Sequence, residues 1–156
     1  MAVTQSYSIR CPECGTDQQV DLVEAVHVRD EPDLRGELLA NRLNAVTCEQ
    51  CGFSFRVDKP LLYHDADRKF ILICIPCEGD AIDDGLLQFQ MYMEGIHSMI
   101  PGDIDVPNIH FAASRIEMVE RIFLVEADLD PRIVEYIKYL IYSNNADRVN
   151  PREKRL

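Results

Sequence analysis

Four cysteines constrain this chain more than any other feature. Cys11-Pro12-Glu13-Cys14-Gly15 and Cys48-Glu49-Gln50-Cys51-Gly52 repeat one pattern, two sulfurs two residues apart followed by glycine. Tetrahedral zinc sets Zn–S at about 2.3 Å, so neighbouring sulfurs around one ion lie roughly 3.8 Å apart. A C-x2-C pair reaches that spacing only through a tight turn. Pro12 pre-sets φ for such a turn, and Gly15 and Gly52 supply the positive φ needed just after the second sulfur. Four thiolates fill a tetrahedral site and leave no position for water or substrate. The pattern therefore points to one structural zinc ion, or iron in the same cage, held by Cys11, Cys14, Cys48 and Cys51, and not to a catalytic centre. Zinc contributes ~10–16 kcal/mol in small domains, so loss of Cys11 or Cys48 is expected to unfold the first half of the chain.

With 156 residues, 47% of them hydrophobic, the chain can bury a core as one domain or two small ones. The amino-terminal ten residues carry no apolar run, and the longest apolar stretch, 70–76, is too short for a bilayer. Six cysteines without an export signal fit a reducing compartment, where thiols bind metal; a soluble cytoplasmic protein is expected. The formal net charge is −11, from 16 basic and 27 acidic residues. Counts of 8 basic against 12 acidic through Cys77, and 8 against 15 beyond, show that neither half is basic. Four thiolates on one dication would add two more negative charges. Phosphate recognition runs on lysine and arginine, so this balance disfavours nucleic acid and anionic lipid as general partners.

Around the cysteine turns the chain reads as strands. Thr4–Arg10 leads into the first turn and Gln18–Val28 out of it, with Val20, Leu22, Val26 and Val28 on one parity. Asp30-Glu31-Pro32 starts a short helix carrying Leu34, Leu38 and Leu39. Leu43–Thr47 and Phe53–Val57 flank the second turn, and Leu61–His64 with Lys69–Ile75 make a further hairpin. The 33 residues between Cys14 and Cys48 exceed a minimal zinc ribbon, so this strand and helix form an excursion that leaves the site and returns. Beyond it, Ser114-Arg115-Ile116-Glu117 matches a capping box before an apolar stripe of Ile116, Val119, Ile122 and Phe123. Asp130-Pro131 opens a last helix with Ile133, Val134, Ile137, Leu140 and Ile141 on one face. Gly85–Ile100 fits either period; the alternation of Leu87, Phe89, Met91 and Met93 favours a strand followed by a turn, and Pro101-Gly102-Asp103 breaks it.

Other chemistry-bearing residues read as structural. Cys74-Ile75-Pro76-Cys77 repeats the spacing but lacks a following glycine. Its acidic surroundings disfavour a reactive thiolate, so core or strand-end cysteines are expected over a redox pair or further metal ligands. His27, His64, His97 and His110 are scattered without helical pairing. His64 beside Asp65 and Asp67 could orient an imidazole or hold a hard cation, but a solvated hairpin turn is the expectation. Asp83-Asp84 and Asp103-x-Asp105 have no calcium-loop spacing. No phosphate-cradling glycine loop, Gly-x-Ser-x-Gly turn or His-Glu-x-x-His helix occurs, and no catalytic residue is nominated. Tyr139 and Tyr142 flank the last apolar stripe, where tyrosine often anchors a partner.

Taken with these residues, the chain resembles the CpXC family of prokaryotic proteins. The likeness rests on the two cysteine turns, Val46–Phe53 included, on Leu61-Leu62-Tyr63-His64-Asp65, and on the segments 118–122 and 130–138, spanning most of residues 8–143. Glu49 stands where a proline would follow the first cysteine of the second turn, which affects turn stiffness and not ligation. The 74/77 pair is not a feature associated with the family. The resemblance implies a zinc-ribbon-like bacterial or archaeal protein and lends no activity.

The expected fold is α+β: an antiparallel zinc-ribbon-like sheet with an inserted helix over 1–79, a mostly helical region over 80–146 packed on it, and a flexible tail over 147–156. The expected function is that of a non-enzymatic interaction module with one structural zinc ion, its partner another protein. A nucleic-acid-associated ribbon is the alternative, needing a local basic face from Arg10, Arg42, Arg56, Lys59, Arg68 and Lys69. A thiol redox or hydrolytic enzyme built on Cys74, Cys77 or His64 ranks below both.

Overall fold

The structure, a computed structural model, describes residues 3–99 and 108–145. The breaker at 101–103, the acids at 103 and 105 and the tail from 147 lie outside the described residues. The fold is α+β, with two sheets and four helices among the described residues. The chain divides into two compact units, Met1–Val119 and Glu120–Leu156.

In the first unit, β1 (Val3–Arg10) and β2 (Asp17–His27) run antiparallel on either side of the first cysteine turn, with Tyr7 opposite Val20 and Arg10 opposite Asp17. Helix α1 (Pro32–Leu39) follows, with proline and Asp33 in its first turn, and lies against β2. Strands β3 (Ala45–Thr47) and β4 (Ser54–Arg56) make a separate two-stranded hairpin around the second cysteine turn. Strands β5 (Leu61–Asp65) and β6 (Phe70–Cys74) form the next hairpin. The turn between them is built on Asp65, which is buried: its carboxylate accepts from the backbone N–H groups of Asp67 (3.1 Å) and Arg68 (3.2 Å) and pairs with the Arg68 guanidinium at 3.1 Å. The sequence placed Asp65 in a solvated turn. The structure shows a carboxylate that has exchanged water for backbone donors, an Asx-type turn.

The larger sheet has five strands in the order β1-β2-β5-β6-β7, where β7 is Asn108–Ala112. It is mixed, which corrects the antiparallel expectation. β5 runs parallel to β2 and β7 parallel to β6. Parallel neighbours need a crossover, and the excursion of α1, β3 and β4 supplies the first one. Strand β6 has the continuous apolar run Phe70-Ile71-Leu72-Ile73-Cys74, with Leu72, Ile73 and Cys74 all buried, as a strand covered on both faces requires. Tyr63, Leu61, Val26, Leu22 and Leu38 complete the core near it.

Helix α2 spans Ile82–Met99, which overturns the strand expected there. Positions four apart satisfy both the period of a strand and that of a helix, so Phe89 and Met93 misled. The deciding contacts are tertiary: Phe89 packs on Phe111 of β7 with ring centroids 5.4 Å apart, while Leu87 and Met91 remain exposed. Asp83 and Asp84 in the first turn favour the helix dipole. One turn before Phe89, Gly85 lies so close to Cys77 that a Cβ there would meet the sulfur at 2.6 Å.

Helix α3 (Arg115–Glu126) begins at the expected capping box: the Glu117 N–H donates to the Ser114 hydroxyl at 3.2 Å, and the Glu117 carboxylate accepts from Ala113 N–H at 2.9 Å. In the second unit, α4 (Pro131–Asn144) is capped by Asp130, whose carboxylate accepts from Arg132 N–H at 2.9 Å. The Arg132 side chain and backbone hold that carboxyl down at about 2. Lys138 bridges Glu120 at 2.5 Å and Glu135 at 3.3 Å.

Candidate metal centre

Both cysteine turns fold by the same local bonds. In the first, Cys11 N–H donates to Thr16 C=O and Gly15 N–H to Cys11 C=O, each at 2.9 Å; in the second, Cys48 N–H donates to Phe53 C=O at 2.8 Å and Gly52 N–H to Cys48 C=O at 2.9 Å. Gly15 and Gly52 share φ of 73°, the left-handed conformation that glycine adopts without strain. Glu49 occupies the place of Pro12 without changing this pattern, so the glycine and not the proline is what both turns need.

The turns bring their sulfurs together. Cys11 Sγ lies 3.7 Å from Cys51 Sγ, and Cys14 Sγ lies 3.6 Å from Cys48 Sγ. All four ligand atoms fall within 4.8 Å of one another. These separations match the edge of a tetrahedron of sulfurs around a metal ion, roughly 3.8 Å for zinc. The four cysteines could therefore hold a metal. Among the described residues no other group of three or more histidines, cysteines or acids comes together in this way. Cys11 and Cys48 are buried, while Cys14 and Cys51 face outward.

The electrostatics of the cluster are divided. Hydrogen bonds from the Thr16 hydroxyl and backbone N–H draw the Cys14 thiol down to about 6. The Phe53 backbone N–H likewise favours a Cys51 thiolate, but desolvation and the sulfurs of Cys14, Cys48 and Cys11 push Cys51 up to about 12. Four thiolates at these distances would repel one another, and a central dication is what would relieve them.

Side-chain amides fasten the hairpin to the main sheet. Asn44, at φ 61°, accepts from Val23 N–H and donates to Val23 C=O, both at 2.9 Å, occupying the β2 backbone as a strand would. Gln18 donates to Thr47 C=O at 3.3 Å and accepts from Glu49 N–H at 3.1 Å. Neither residue stood out in the sequence, because an isolated asparagine or glutamine carries no spacing signal.

The remaining candidates lie apart from the cluster. Cys74 ends β6 in the core, where burial pushes its thiol up to about 12; Cys77 is half-buried and its thiol is also raised by burial. These are strand-end cysteines held beside β7 by Ile75 N–H to Ala112 C=O (3.0 Å) and Cys77 N–H to Ala113 C=O (2.9 Å). His64 lies on β5 beside His27 of β2, a neighbour the sequence did not reveal. Arg115, buried at the start of α3, was missed as well. Asp58 stands 3.8 Å from it and is also held by Arg56 at 2.9 Å, and burial lowers the arginine's proton affinity.

A family model, described as CpXC protein, matches residues 9–138. The chain belongs to the CpXC family. Comparison with curated proteins and with solved structures gives no match. Both turns of this CpXC protein fall inside the matched residues. No helix among the described residues is long and apolar enough to cross a membrane.

Proposed function

We propose that Cys11, Cys14, Cys48 and Cys51 hold one zinc ion in a structural role, and that the protein works in a reducing cytoplasm as a non-enzymatic module that binds another protein. The observation that carries the reading is the sulfur geometry: two turns bring four thiols to the spacing of a tetrahedral site, which four sulfurs fill, and no fifth donor joins them among the described residues. Zinc bound there joins the first turn to the hairpin and shapes a surface without supplying chemistry. A protein partner is supported by the large apolar side chains left exposed on helices, Leu87 and Met91 on α2 and Ile133, Tyr136 and Tyr139 on α4. The nucleic-acid alternative loses support because its basic residues are engaged within the chain. Arg10, Arg42, Arg56 and Arg68 pair with Asp17, Glu37, Asp58 and Asp65, and Lys59 stacks over the Tyr7 ring at 3.1 Å.

Native mass spectrometry on protein purified without a metal-affinity step tests the site. One zinc per chain, removed by strong chelator with loss of structure around both turns, is the expected outcome. A metal-free protein with an unchanged melt would overturn the reading. Flat DNA and RNA titrations at low salt are expected, and salt-dependent binding would favour the alternative.

A further inference from the structure

Outside the cysteine cluster, two ligating side chains among the described residues converge. His27 closes β2 and His64 lies on β5, and the parallel register sets the two residues side by side. Their backbones are fixed: Val28 N–H donates to His64 C=O at 3.0 Å, while His27 C=O accepts from Asp30 N–H at 3.1 Å and Glu31 N–H at 2.9 Å. The rings stand nearly perpendicular, at 89°, with Nδ1 facing Nδ1 across 3.3 Å. Two imidazole nitrogens bound to one tetrahedral ion at about 2.0–2.1 Å are separated by roughly 3.3–3.4 Å. The same test of spacing that the four sulfurs meet is met here by two nitrogens.

We propose that His27 and His64 form a second, independent cation site that takes a borderline divalent transition ion such as zinc through both Nδ1 atoms. Both histidines are only half-buried, so the remaining coordination positions face water or an incoming ligand. This distinguishes the site from the closed cysteine cage. Among the described residues no carboxylate joins the two histidines in a ligand cluster; Asp65 is held by the turn and Arg68, and Asp67 by Arg29. A hard ion such as calcium, which wants six or more oxygens, therefore finds no cage. Those acids still shape the field, since the segments 27–31 and 64–68 carry Asp30, Glu31, Asp65 and Asp67 against Arg29 and Arg68. Without a cation, one ring donates its Nδ1–H to the lone pair of the other. With the cation, both Nδ1 lone pairs bind and the donor ring carries its proton on Nε2 instead.

The test starts from full-length protein already carrying one zinc per chain and adds a second equivalent of Zn2+. Native mass spectrometry is expected to show two zinc ions per chain, and imidazole 15N spectra to show the Nδ1 resonances of His27 and His64 moving together. His27→Gln is expected to keep the first zinc and lose the second. Unmoved Nδ1 signals, movement confined to Nε2 or to other histidines, or a second zinc retained by His27→Gln would each overturn the proposal. Should the variant fail to fold, the wild-type 15N shifts decide alone.

Discussion

Hairpin β3–β4 pairs three residues on each strand and buries only Val46, whereas β5 and β6 pair five on each strand and bury seven of the ten. Side by side in one unit, these hairpins show two ways of being stable. The second rests on apolar area: Leu61, Tyr63, Phe70, Leu72 and Ile73 are withdrawn from water, and removal of apolar surface contributes about 25 cal/mol per Å². The first has almost no such area, and a two-stranded hairpin is marginal alone in water. The amides of Asn44 and Gln18 fasten it, and the ion proposed for the four cysteines would supply the rest of its order.

The comparison breaks most plainly on metal removal. Removing the proposed ion with strong chelator, or Cys48→Ala, should withdraw binding of ~10–16 kcal/mol. Amides of β3, β4 and both cysteine turns are expected to lose protection in hydrogen exchange, while those of β5 and β6 keep it. Simultaneous loss in both hairpins would show that the metal supports the whole unit. Leu72→Ala makes the opposite cut. It should cost about 2–5 kcal/mol in denaturant unfolding, and saturating zinc should not recover the loss. Asn44→Ala tests the link between the regions. It leaves Val23 N–H and C=O without their partners and should cost about 1–3 kcal/mol, with faster surrender of metal to a chelator as the second readout. The smallest effect is expected at Gly85→Ala. Its Cβ would strike the Cys77 sulfur, costing about 1–2 kcal/mol despite the better helix former, and Cys77→Ala in the same chain should recover most of it.

Much of this was legible from residue order, for a physical reason: the cysteine turns, the hairpins and the helix caps are local. Gly15 and Gly52 announce their φ, Pro131 its place in the first helical turn, and Ser114 with Glu117 its cap. What escaped is non-local. That β5 joins β2 in parallel, setting His64 against His27, depends on where the chain returns after 33 intervening residues, and no spacing encodes that. Helix α2 was misread because Phe89 and Met93 fit two periods, and only the packing on Phe111 chooses between them. The parallel pairing of β6 did leave a trace in its unbroken apolar run, since strands covered on both faces lose the alternation that marks a half-exposed one.

The route of the chain between β2 and β5 bears on how fast the protein assembles. After α1 the backbone travels back to the beginning of β2, touches the first cysteine turn, and only then reaches the strand that must lie beside Ala25–His27. An ion gripping both turns early would shorten the diffusive search for that distant partner, because the ends to be joined are already tethered. Refolding from denaturant should accordingly be quicker with the ion present from the outset than when it is supplied after the chain has collapsed.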